Sequence, residues 1–282
     1  MSNLSEDIAG LTPRQRMLVE RLLKKEKLGP SRSIAVSRRE EAASYPLSFA
    51  QYRLWFLHQL EPQSVAYNLP VAIRLKGRLD VQSLERALSE LVRRHESLRT
   101  RFAVEAEQPV QVISSKTNFS VAHIAAATEA EVTRFIEKEA NQPFDLQAGS
   151  LFRASLLRVN AEEHVLVLMM HHIISDGWSA GVLFRELGTL YAAYAAGEES
   201  PLQELPVQYA DYAVWQRDYL RGEVLNAQVE YWRERLTGAA PVLELPADRV
   251  RPAVQSYRGA AARFELSREV SEGLKALARA EG

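Results

Sequence analysis

The chain has 282 residues, is 46% hydrophobic and 25% charged, and carries a formal net charge of -1. This ordinary globular composition allows one large domain or two small ones. It leaves no broad basic field for nucleic acid or an anionic membrane, and no apolar run approaches the roughly 18 residues that span a bilayer. The absence of cysteine excludes disulfides, zinc–thiolate sites and a cysteine nucleophile, and fits a reducing, cytoplasmic setting.

Residues 1–44 read as a leader with no signal-peptide pattern. Thr12 and Pro13 suit an N-cap and a first helical position. Met17, Leu18, Leu22 and Leu23 then fall near one face of a helix over residues 14–28, which Gly29 and Pro30 end. The polar stretch to residue 44, with the charge run Arg38, Arg39, Glu40, Glu41, reads as a linker. A solvated helix on a tether and a docking element account for the leader equally well.

From Tyr45 the patterns tighten. Residues 71–75 form a short strand. Asp80 caps a helix with Leu84, Ala87, Leu88, Leu91 and Val92 at helical spacing. Residues 98–104 and 110–113 read as strands. Thr128 and Glu131 form a capping-box pattern before a helix carrying Val132, Phe135 and Ile136. Residues 151–159 and 165–171 are strands, and 183–196 a helix ending at Gly197. This alternation predicts an α/β layered domain over residues 45–220. Over residues 221–282 come a helix at 224–236 ending at Gly238, a connection marked by Pro241, Pro246 and Pro252, a strand at 262–266 and a helix at 270–280. The chain stops just after opening this βα unit, so a truncated second lobe is expected.

The chemistry concentrates in Met169-Met170-His171-His172-Ile173-Ile174-Ser175-Asp176-Gly177-Trp178-Ser179, an apolar strand, a turn and the start of a helix. Strand side chains alternate, so His171 and His172 point opposite ways and only one faces a given cleft. Gly177 lets the backbone approach a ligand closely or take an unusual φ. The following helix can direct its positive end at developing negative charge. A buried histidine satisfied by a neighbour is the plain alternative, but two histidines, an aspartate and a glycine at one strand-to-helix turn favour a site. A metal site is not expected, because adjacent strand histidines diverge and no second ligand pair stands nearby. Gly177-Trp178-Ser179-Ala180-Gly181 matches the G-x-S-x-G nucleophile elbow. In that fold the histidine follows the serine, whereas all six histidines here precede Ser179, and only residues past Gly282 would supply another.

This segment resembles the HHxxxDG signature of nonribosomal peptide synthetase condensation domains; the wider chloramphenicol-acetyltransferase-like acyltransferases share a shorter HxxxD form. Ser48-Phe49-Ala50-Gln51-Tyr52-Arg53-Leu54-Trp55-Phe56-Leu57 resembles the family's opening motif. Arg94-His95-Glu96-Ser97-Leu98-Arg99-Thr100-Arg101-Phe102 resembles its second, and Tyr209-Ala210-Asp211-Tyr212-Ala213-Val214-Trp215 its fourth. The four stand in family order, and the likeness runs from about Leu47 to the end. It implies a chloramphenicol-acetyltransferase-like layered lobe, a mixed sheet with helices, with the family's later motifs and most of the second lobe absent. Residues 1–44 are similar to segments found ahead of such domains at the start of synthetase subunits.

The resemblance implies that an acceptor amine attacks a donor thioester, both carried on the phosphopantetheine arms of donor and acceptor carrier proteins. An adenylation domain would be adjacent, and this domain would bind no cofactor. His172 would face the tunnel as a base, since an imidazole titrates at about 6.5 and a placed base contributes about 10²–10⁴-fold. Positioning of the amine and stabilisation of the tetrahedral intermediate share the work in a proportion left open. Asp176 would be structural, paired with Arg94 or Arg99. Gly177 would keep the backbone close to substrate, and His171 would support the loop. For the arginines, solvated helix-end charges are the alternative. Tyr52, Trp55, Phe56, Tyr209, Tyr212 and Trp215 read as packing, with substrate contact the alternative, and Tyr231 and Trp232 read as packing too. Other functions to weigh are a recruitment platform of the kind that has lost the active histidine, an epimerising relative and a free acyltransferase.

Overall fold

A computed structural model describes residues 35–117, 119–244, 246–250, 262 and 264–281. The helix expected over residues 14–28 lies outside them. The chain forms two compact units, one through Gly238 and one from Ala239. Among the described residues no helix is long and apolar enough to cross a membrane.

Among the described residues the first unit holds two sheets. In chain order its elements are β1 (Tyr45–Pro46), α1 (Phe49–Leu60), β2 (Asn68–Lys76), α2 (Val81–Arg94), a 3-10 turn (Glu96–Arg99), β3 (Thr100–Glu105), β4 (Gln108–Ile113), β5 (Val121–Ala125), α3 (Glu129–Ala140), β6 (Phe152–Asn160), β7 (Glu163–His171), α4 (Gly177–Ala195), α5 (Tyr209–Tyr219) and α6 (Glu223–Leu236). The larger sheet has the order β2-β7-β6-β5, antiparallel except for the parallel β5–β6 pair, so it is mixed as expected. The smaller has the order β1-β4-β3.

β7 is buried without a break from His164 to His171, which explains its unalternating apolar run: both faces of this inner strand are covered. It pairs with the edge strand β2 along its whole length, Asn68 opposite His171 and Lys76 opposite Glu163. β2 carries Pro70, whose missing N–H an edge strand tolerates. α3 packs on β2 and β7, and α2 packs on α4. Leu84, Ala87, Leu88, Leu91 and Val92 of α2 form a core stripe with Leu183, Leu187 and Leu190 of α4, continuous with β6 and β7. Asp80 caps α2 through the Ser83 amide at 3.1 Å, and the Thr128–Glu131 box caps α3.

Several boundaries differ from expectation. The strand expected from residue 98 begins at Thr100, because Glu96–Arg99 forms a 3-10 turn. α4 starts six residues earlier than the periodicity indicates, because Asp176 caps it. The described part of the expected linker, residues 35–44, is tied to the lobe by side chains: Arg39 bonds Glu96 and Asp211, and Ser44 bonds Glu105. In the second unit, α7 (Arg268–Glu281) is present, but the described residues of the stretch 262–266 are not in a strand.

Candidate active site

β7 carries the chain out of the core. Its last residue, His171, is 3% exposed, whereas His172 is exposed. The alternation predicted from the strand thus persists one step past its end. The His171 Nδ1 accepts from the Ile173 amide at 3.1 Å, its N–H donates to Leu151 O at 3.1 Å, and its carbonyl accepts from the Ile174 amide at 3.0 Å. The rings of His58, Tyr67 and Phe144 surround it with centroids 6.0–6.3 Å away. Burial pushes its pKa down to about 4, with His58 and His172 adding to the effect. His171 is therefore a neutral acceptor that shapes the turn, with its ring proton on Nε2. His172 is held by its backbone, N–H to Tyr67 O at 2.8 Å, while its side chain lines a cavity of about 360 Å³. That volume lies within the range of small-molecule sites.

Asp176 has extended backbone geometry and is the N-cap of α4. Its Oδ1 accepts from the Ser179 amide at 2.7 Å and from the Ser179 hydroxyl at 2.6 Å. The expected pair with Arg94 or Arg99 is replaced by this local cap. Arg94 ends α2, which packs on α4, so its Nε meets Glu186 of α4 at 3.0 Å while its guanidinium also donates to Gln203 O. Arg99 donates to Ser114 O and lies 3.9 Å from Glu96. The two bonds from Ser179 hold the Asp176 carboxyl below the usual carboxylate range, with a smaller electrostatic contribution from nearby His172. Asp176→Ala is accordingly expected to cost about 0.5–2 kcal/mol, the value of a lost N-cap. Urea unfolding of the two proteins measures this, and a loss of about 3–5 kcal/mol would instead indicate a broken buried ion pair.

Gly177 opens α4. Its φ is not positive, so the expectation of an unusual φ is not met. A Cβ built there meets nothing within 4 Å, which leaves the approach to the helix's positive end open. Ser179 sits in the first helical turn with its hydroxyl committed to Asp176, not on a nucleophile elbow. Among the described residues no group of three His, Cys, Asp or Glu is placed to hold a metal ion.

Other segments complete the cavity. α1 supplies Ala50, Arg53 and Leu54, the segment after α2 supplies His95, Ser97 and Leu98, and the start of α5 supplies Gln208 and Tyr209. The His95 Nε2 lies 2.7 Å from Glu186, and the Tyr209 hydroxyl 2.9 Å from that of Ser48. Trp178 is 85% exposed at the cavity wall. His95, Gln208 and Trp178 are not singled out by the sequence as lining residues, although each lies in or beside a motif segment, and Tyr209, read as packing with substrate contact the alternative, lines the cavity. Among the aromatics read as packing, Trp55 does pack on the core. Tyr52 and Phe56 are exposed, and Tyr231 and Trp232 form an edge-to-face pair on α6, a helix with no buried residue.

The family profile described as Condensation domain matches residues 41–282. A linear gramicidin synthase of Brevibacillus parabrevis is 46% identical over 281 residues, which cover 98% of this chain and 5% of that protein. Among solved structures, the complex of the X-domain and OxyB from teicoplanin biosynthesis matches with a TM-score of 0.73 and 35% identity, over 82% of this chain and 51% of that one. The first condensation domain of the calcium-dependent antibiotic synthetase, with a substrate analogue, matches with a TM-score of 0.63 over 70% of this chain and 48% of that one; at 24% identity this likeness speaks for the fold. The chain thus spans about half the length of the solved chains it matches.

Proposed function

The chain belongs to the condensation-domain family, and on that premise we propose that it forms peptide bonds between a carrier-bound thioester donor and a carrier-bound aminoacyl acceptor. The observation that carries this reading is the exposed His172 on the wall of a cavity bordered by the open first turn of α4. The acceptor amine attacks the thioester carbonyl to give a tetrahedral intermediate. His172 takes the amine proton, the C–S bond breaks, and the proton goes to the departing thiolate. The α4 N-terminus faces the developing oxyanion with partial positive charge. Asp176 holds that turn in place.

On this reading the HHxxxDG residues are His171, His172, Asp176 and Gly177, and residues 45–220 are the first lobe, followed by a crossover into the second. The partners are donor and acceptor carrier proteins and an adjacent adenylation domain, in a cytoplasmic setting, and the phosphopantetheine arms belong to the carriers. A second reading, a recruitment module, is favoured by one observation: a solved X-domain with a TM-score of 0.73 is in complex with OxyB. The presence of His172 in the cavity supports the enzyme.

The test is dipeptide formation by the full-length protein with loaded donor and acceptor carriers. Ser179→Ala in that protein is expected to keep its rate within about tenfold, because loss of one capping hydroxyl perturbs α4 without removing a reacting group. If a fluorophosphonate labels Ser179 and stops turnover, a serine hydrolase is the better reading. If no dipeptide forms but a partner protein binds, the recruitment module is.

A further inference from the structure

Arg39 precedes the lobe, and it does not line the cavity. Its Nη1 donates to Asp211 Oδ1 at 2.6 Å, its Nη2 to Glu96 Oε2 at 2.6 Å, and its backbone N–H to the same Asp211 oxygen at 3.1 Å. Its guanidinium also lies 4.2 Å from the centre of the Tyr45 ring. The Asp211 side chain is wholly buried, so this cation is what makes a carboxylate there tolerable. Burial alone would raise the Asp211 pKa, but bonds from the Gln208 amide and Arg39 hold it below its ordinary value.

Both partners of Arg39 stand next to the cavity wall. Glu96 lies between His95 and Ser97, which line it. The Asp211 Oδ2 accepts from the Gln208 amide at 2.6 Å, and Gln208 and Tyr209 line the same cavity. Gln208 closes the loop: its Oε1 accepts from the Glu96 amide at 3.2 Å and its Nε2 donates to Arg94 O at 2.9 Å. The fork of one guanidinium therefore joins two wall segments that are far apart in sequence, and a lysine ammonium cannot span both in the same geometry.

We propose that Arg39 is a positioning residue, which from outside the cavity fixes the spacing between the wall around residues 95–98 and the wall at Gln208 and Tyr209. This rests on the peptide-bond-forming reading of the cavity. Misplacement of a wall by about 1 Å can cost about 100-fold in rate, so Arg39→Gln in the full-length protein should lower kcat about 100-fold with little change in the carrier KM. Arg39→Lys, which keeps the charge for Asp211 but loses the fork, should recover about tenfold of that loss.

Two measurements test the proposal together: single-turnover dipeptide formation, run well below each variant's unfolding midpoint, and amide hydrogen exchange. In Arg39→Gln the amides of Glu96 and Asp211 should exchange at least tenfold faster, an order-of-magnitude expectation for local opening, while those of β7 stay as in the parent. The proposal is overturned if Arg39→Gln matches the parent rate, or if both variants lose rate only in proportion to global unfolding, with β7 amides accelerated alongside the rest. If the parent protein forms no dipeptide, the reading of the reaction falls. The exchange pattern then decides the clamp independently: local acceleration at Glu96 and Asp211 upholds it, and none overturns it.

Discussion

His172→Ala is expected to lower dipeptide formation by about 10²–10⁴-fold, the contribution of a positioned base, while leaving the protein folded. The backbone amide of His172 bonds Tyr67 O and its side chain is exposed, so truncation opens no core cavity and strands no buried partner. His171→Ala should behave in the opposite way. It removes a ring packed among His58, Tyr67 and Phe144 and leaves the Ile173 amide without its acceptor, so stability falls first and rate follows. Dipeptide release from loaded carriers, with circular dichroism and thermal unfolding on the same samples, separates the two. A His172→Ala protein with the parent rate would remove the catalytic assignment.

Stability should fall by about 3 kcal/mol between pH 6.5 and 4 from His171 alone. Its folded pKa is lowered to about 4 by burial, with smaller contributions from His58 and His172, against an unfolded value of about 6.5. In that window the unfolded chain binds the proton and the folded chain does not, so acid favours unfolding. The contribution is fully present above the unfolded pKa and is lost as pH falls towards the folded one. About 2.5 units at 1.36 kcal/mol each gives the magnitude. His58 and His164, whose pKa values burial also lowers, add in the same direction. Urea unfolding from pH 7 to 4 measures the slope. His171→Asn, whose amide oxygen can take over the bond from Ile173, should be less stable at pH 7 but show a shallower slope. An unchanged slope would mean that His171 is not protonated on unfolding in this range.

The sequence was most legible where one physical signal acted alone. α2 and α3 announce themselves by a helical apolar stripe and a capping residue, and β6 and β7 by apolar runs of strand length. The opposite facing of His171 and His172 follows from strand geometry and needs no knowledge of neighbours. The start of α4 was obscured because Gly177, Ser179 and Gly181 are poor helix formers, and only the Asp176 cap marks it. α1 and α5 were not read as helices, although Ser48 with Gln51 is a capping-box pattern visible in the residues. The partner of Asp176 was misassigned because a long-range arginine and a hydroxyl three residues away are equally available on paper; the helix start decides between them. The Arg39 clamp was out of reach, since its partners lie 57 and 172 residues away and nothing in a charge run specifies them.

The pairing of β2 with β7 sets a timetable for the growing chain. β2 emerges roughly ninety to a hundred residues before the strand that completes its ladder. At about 5–20 residues per second, it waits about 5–20 s on the ribosome with its hydrogen-bonding edge unmatched. Such an edge invites pairing with other nascent chains. Pro70 interrupts its donors, and Arg74 and Lys76 place like charges along it, so neighbouring copies repel before β7 arrives. The turn bearing His172 follows β7 in the chain and bonds back to Tyr67 at the head of β2, so it forms only after that wait. The interval when β2 is alone is therefore the stage of synthesis at which pairing between nascent chains is most exposed.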